Sequence, residues 1–91
     1  MKEKRNNAVT HFEVETICNG VNVEFTRVVT GDNMTFSGVI SKEDAQVGDI
    51  SYAQKDDYLI VRLKPCSQLT DDEVAAIYAA MPGYAKELIN R

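Results

Sequence analysis

The sequence predicts an α+β domain: an antiparallel β-meander of about five strands packed by one or two C-terminal helices. Three observations carry that expectation. Apolar and polar residues alternate from residue 8 onward, the period of a strand with one buried face. Asn19-Gly20 interrupts the alternation with the dipeptide best suited to a two-residue hairpin, because a type I′ turn needs positive φ at both central positions. After Pro65 the signals become helical: Thr70 and Glu73 have capping-box spacing ahead of apolar residues three and four apart.

Taken in order, residues 1–7 form a polar tail and residues 8–91 one domain. In the first hairpin Cys18 faces Val21, and counting outward pairs Thr16 with Val23, Val14 with Phe25, and Phe12 with Arg27. The opposite face pairs Ile17 with Asn22, Glu15 with Glu24, Glu13 with Thr26, and His11 with Val28. A second turn over "TGDN", residues 30–33, pairs Val29 with Met34, Arg27 with Phe36, Phe25 with Gly38, and Val23 with Ile40. Both hairpins assign Val14, Val23, Phe25, Phe36 and Ile40 to one buried face. Phe25 then shields Gly38, which has no side chain of its own.

"SKEDAQVG", 41–48, reads as one helical turn capped by Ser41 and stopped by Gly48. "DISYAQKDDYLIVRLKP" is a third hairpin turning near residues 54–57, whose last strand is apolar on both faces. Pro65 ends the sheet. A helix over about 71–80 presents Val74, Ile77, Tyr78 and Met81. Pro82 then opens another helix, with Tyr84, Ala85, Leu88 and Ile89 as its apolar stripe.

Composition limits the function classes. Hydrophobic residues at 44% and charged ones at 26% describe a globular chain able to bury a modest core, not a disordered one. The net charge of −4, with dispersed basic residues, argues against nucleic-acid binding, which needs clustered Lys and Arg to neutralise phosphates. No apolar run approaches the length of a membrane span, and no signal-peptide core precedes residue 20. A cytoplasmic protein is expected, with Cys18 and Cys66 as reduced thiols. Neither CxxC nor a paired-histidine motif calls for a metal, and no cofactor motif is present.

Three groups of residues stand out as candidate sites. Glu13, Glu15 and Glu24, near His11, gather on the polar face. A flat patch of three carboxylates cannot wrap a hard cation, so it reads as solvated surface, with a docking surface for a basic partner second. Arg27 stands among aromatic residues on the apolar face, either snorkelling to the edge or pairing with an anion or with Asp71, Asp72 or Glu73. Tyr52, Tyr58, Ile60 and Arg62 offer apolar and amphipathic surface that the helices do not reach. The expected function is therefore a small non-catalytic interaction or assembly module, self-associating as a homodimer through Tyr52, Tyr58, Ile60 and Arg62. The alternative is a ligand-binding or enzymatic domain with a cleft between sheet and helices, using Arg27, Tyr52, Tyr58 and Tyr84.

Overall fold

The computed structural model describes the backbone of residues 3–6 and all of residues 8–65 and 67–91. Among the described residues seven strands form one antiparallel sheet: β1 Glu3–Asn6, β2 Val9–Phe12, β3 Glu15–Cys18, β4 Val21–Thr30, β5 Asn33–Lys42, β6 Ala45–Ala53 and β7 Tyr58–Leu63. Their order across the sheet is β1-β2-β4-β5-β6-β7, and β3 also pairs with β4. One helix, α1 Asp71–Ile89, packs on a single face. The architecture is α+β, as predicted.

Four details differ from expectation, each for a physical reason. The tail predicted over 1–7 lies partly outside the described residues, at Met1, Lys2 and Asn7. The stretch between them forms β1, from Glu3 opposite Phe12 to Asn6 opposite Val9. Without it β2 would leave an open row of backbone donors and acceptors, which takes up a further strand readily.

The first hairpin turns at Asn19-Gly20 with Cys18 opposite Val21. Gly20 has positive φ (72°) and Asn19 does not, so the turn is not the type I′ expected, and its register then slips. Ile17 is an extra residue on β3, so Thr16 pairs with Asn22 and Glu15 with Val23. A second slip at Glu13–Val14 separates β3 from β2, where His11 pairs with Thr26 and Thr10 with Arg27. Each one-residue slip reverses the faces, and two restore them. Thr10 and Phe12 are therefore buried as alternation requires, whereas Val14, expected in the core, is 49% exposed. Glu15 does not face Glu24.

The predicted helical turn at 41–48 is instead a β-hairpin. Glu43 and Asp44, at φ 52° and 65°, supply the two positive-φ positions of a tight turn. Val47 is then the bulged residue of β6, between Ser41–Gln46 and Ile40–Gly48 pairs, and its side chain is buried. Gly48 is a strand residue rather than a helix stop. A Cβ there would run into the carbonyl oxygen of Arg62 and the side chain of Leu63.

The two predicted helices are one. Pro82 lies inside α1, where it removes an N–H but lies on the exposed side. The two apolar stripes merge into a buried line of Ile77, Met81, Ala85 and Leu88, and Tyr78, expected on it, is exposed. The capping box forms as expected. Thr70 Oγ1 accepts from the Glu73 N–H at 3.2 Å, and Glu73 Oε1 accepts from the Thr70 N–H at 2.8 Å.

The second hairpin keeps its predicted register from Val29–Met34 to Val23–Ile40, and pairing continues to Thr30–Asn33 around Gly31. Phe25 is at the centre of the core, stacked on Phe36 at 5.2 Å between ring centres and tilted against Tyr84 at 5.5 Å. Its ring occupies the space a Cβ on Gly38 would need. Lys42 ties the β5–β6 end of the sheet to the start of α1, donating to Gln68 O at 2.7 Å and Glu73 Oε1 at 2.8 Å. Arg27 ties the other end of α1 to β4.

Candidate functional site

The acidic residues do not assemble into a site. Glu13 and Glu24 are exposed, and Glu15 stands opposite Val23 on the helix side, where its charge contributes to holding the Tyr84 hydroxyl above its usual range. Burial of Tyr84 is the larger cause of that rise. His11 Nδ1 lies 3.3 Å from Thr26 Oγ1 on the exposed face. Among the described residues no three His, Cys, Asp or Glu side chains come together as metal ligands do. Cys18 is a half-buried free thiol, and Cys66 lies outside the described residues.

Arg27 is 8% exposed and its guanidinium is occupied. Nη1 donates to Leu88 O at 2.7 Å and Arg91 O at 3.1 Å, and the guanidinium carbon lies 5.6 Å from the centre of the Phe12 ring. Leu88 O is among the last carbonyls of α1, which lack intrahelical partners and carry partial negative charge, so a buried cation there satisfies it. Arg91 O lies just beyond the helix. The ion pair considered for Arg27 with the acids of the first helical turn is not formed. Glu73 pairs with Lys42 instead.

Arg27, Tyr52, Tyr58 and Tyr84 do not converge on one cleft. Tyr84 packs on Phe25, and the Tyr52 hydroxyl donates to Asp57 Oδ1 at 2.8 Å, which raises its pKa. Tyr52 pairs with Leu59 and Phe36, which places it on the helix side, whereas Tyr58 and Ile60 point to the opposite face. The Tyr52 side chain therefore leaves the sheet on the other side from Tyr58 and Ile60, although Tyr52 still borders a depression together with them.

The face away from α1 is organised in rows. Val9, Val28, Thr35, Ala53 and Tyr58 form one row, and His11, Thr26, Ser37, Ser51 and Ile60 the next. A third contains Glu24, Val39, Asp49 and Arg62. Within it Arg62 donates from Nε and Nη2 to both oxygens of Asp49, at 2.8 and 2.9 Å, and this bidentate pair holds the Asp49 carboxyl below its usual range. Between Tyr58, 74% exposed, and Ile60, 52% exposed, lies a shallow depression of about 630 Å³ over β5, β6 and β7. Its small lining residues, Thr35, Ser37, Ser51 and Ala53, leave the two large side chains standing clear.

The sequence pointed to Tyr58 and Ile60 through the two-sided apolar pattern of the last strand. It did not single out Val39, 49% exposed on the same face, although the alternation that buries Phe36 and Ile40 turns Val39 to the other side. No helix among the described residues is long and apolar enough to cross a membrane. No family model matches the chain, and comparison with curated proteins and with solved structures gives no match.

Proposed function

We propose that this chain is a small non-catalytic assembly module that self-associates as a homodimer around Tyr58 and Ile60. The observation that carries the reading is the exposure of these two large residues, two positions apart on one face of a strand that ends the sheet. Single exposed apolar residues are ordinary on protein surfaces, so either alone would mean little. Together with Val39 and the row from Val9 to Ala53, they make a surface of mixed apolar and small polar groups on the face away from α1. Aromatic residues and Arg are enriched at the centres of protein interfaces, and an isologous contact lets one patch cover its own copy. Burial of roughly 600–800 Å² per subunit reaches the lower range of specific interfaces. Support for a non-catalytic role comes from Arg27 and Tyr84, the groups best placed for a cleft, which are engaged in closing the helix onto the sheet.

Light scattering over a dilution series tests the reading. The expected mass rises from the monomer's 10.1 kDa to twice that value as concentration increases. A monomer mass at about 100 µM and above overturns it, since interfaces of standard size bind in the micromolar range or tighter.

A further inference from the structure

The two ends of the sheet differ in character. At one end β1 has the sequence Glu-Lys-Arg-Asn, charged at three successive positions, the usual device against strand-to-strand pairing. At the other, β7 reads Tyr-Leu-Ile-Val-Arg-Leu, without Pro and with a single charge. That charge is already matched by Asp49.

The hydrogen-bond pattern shows which backbone groups β7 leaves open. Lys64 N–H donates to Val47 O at 2.8 Å, just beyond the Gly48–Leu63 pair. Antiparallel pairs alternate between bonded and non-bonded, so Arg62, Ile60 and Tyr58 bond to Asp49, Ser51 and Ala53 of β6. The same phase follows from the other side of β6, where Gln54 N–H donates to Met34 O at 2.9 Å, so that alternate residues of β6 serve β5 and β7. The N–H and C=O groups of Leu59, Val61 and Leu63 therefore point out of the sheet. No described residue supplies a further backbone hydrogen bond to them.

We infer that a second copy of this chain joins through antiparallel pairing of β7 with itself, about a two-fold axis at Val61. This rests on the self-association proposed above but moves the contact to the β7 edge, with Tyr58 and Ile60 at its margin and not face to face with their copies. With Val61 opposite Val61 of the second copy, Leu59 faces Leu63, and all these pairs are of the bonded type. Their side chains lie on the helix side, so the half-buried apolar row of each domain continues into the other. On the outer face Ile60 lies beside Arg62 of the second copy and Tyr58 beside Lys64. An amphipathic arginine stem meets Ile60, a lysine stem meets Tyr58, and no like charges stand directly opposite. This pairing closes on itself. Pairing of β7 with β1 would be heterologous and would build open chains.

Two substitutions and one exchange measurement on the full chain test the mode. Val61→Pro removes an N–H that the fold does not use and that the dimer requires, a position where an edge strand accepts proline. Ile60→Asp sits beside Arg62 of the second copy and is tolerated, whereas it breaks a dimer stacked through the outer faces. The expected result is a dimer mass for the unchanged chain and for Ile60→Asp, and a folded monomer by circular dichroism and light scattering for Val61→Pro. In the unchanged chain, amide exchange at Leu59 and Val61 slows at least about ten-fold more between dilute and concentrated samples than at Tyr58 and Ile60. A dimer that survives Val61→Pro, loses mass with Ile60→Asp, or leaves Leu59 and Val61 exchanging as in the monomer overturns edge pairing and leaves self-association standing. Masses climbing beyond the dimer overturn the two-fold. Monomer at every concentration overturns both proposals. Should Val61→Pro unfold, the exchange pattern of the unchanged chain decides.

Discussion

Phe25 shows how much of the fold rests on single contacts. Its ring touches Phe36 and Tyr84 and fills the gap over Gly38, linking β4, β5 and α1. Truncation to Ala leaves a cavity bordered by all three elements, and Phe25→Ala is expected to cost ~3–5 kcal/mol in chemical denaturation. A loss below ~1 kcal/mol would place the ring outside the cooperative core. Gly48 is the complementary case, where an added methyl rather than a missing ring is the problem. Because the Arg62 carbonyl and Leu63 of β7 already occupy the position of its Cβ, Gly48→Ala must push the edge strand away. The expected cost is ~1–3 kcal/mol, and native-state hydrogen exchange is expected to be faster in β7 than in β4. Gly48 was legible in the sequence only as a helix stop. The need for a missing side chain comes from β7, about fifteen residues further along, which local spacing does not record.

At the scale of elements, the junction between the β5–β6 hairpin and α1 is held by Lys42, which donates to Gln68 O and to the Glu73 carboxylate. The Lys42 ammonium beside Glu73 and, after it, the Thr70 N–H hold this carboxyl below its usual value of 4.5. A group whose folded pKa is depressed binds protons more weakly in the native state than in the unfolded chain. Its stabilising contribution is therefore complete above the usual glutamate range and is lost as pH falls through the lower, native value. Asp49 behaves in the same direction through Arg62, from its usual 3.8 downward. Denaturation measured between about pH 6 and pH 2 is expected to show stability falling toward acid, with a shallower fall in Glu73→Gln. The amide of Gln still accepts from the Thr70 N–H, so the capping box persists while the ion pair does not. An identical acid limb in the variant would mean that Lys42 contributes nothing through Glu73.

For the whole molecule, the sheet is covered on one face by α1 and open on the other. Two expectations follow from that asymmetry. Glu13 and Glu24 are exposed, and among the described residues no third ligand joins them, so millimolar calcium or magnesium is expected to leave the melting temperature unchanged. A ligand raises it only by binding the native state, and a saturable rise that disappears in Glu24→Gln would reveal a site there. The proposed dimer makes the opposite kind of expectation, a melting temperature that falls on dilution because association and folding are linked by mass action. One that is the same across a hundred-fold dilution speaks against self-association.

The sequence by itself determined the elements whose signals are local. Asn19-Gly20 marks the place of the first turn though not its type, alternation selects the face of Val23, Phe25, Phe36 and Ile40, and Thr70 with Glu73 satisfies the first amides of α1. Each of these depends on residues within a few positions of one another. Only the tertiary structure decided the bulges at Ile17 and Val47, the tight turn at Glu43-Asp44, the passage of α1 through Pro82, and the helix carbonyls as partners of Arg27. In each of these the local preference is weak or points elsewhere: Glu and Asp are not the usual turn pair, and proline disfavours a helix interior. The outcome is set by a sum of contacts from distant segments. Register must satisfy a neighbouring strand, and the single apolar line from Ile77 to Leu88 buries more when α1 continues through Pro82 than when it breaks there.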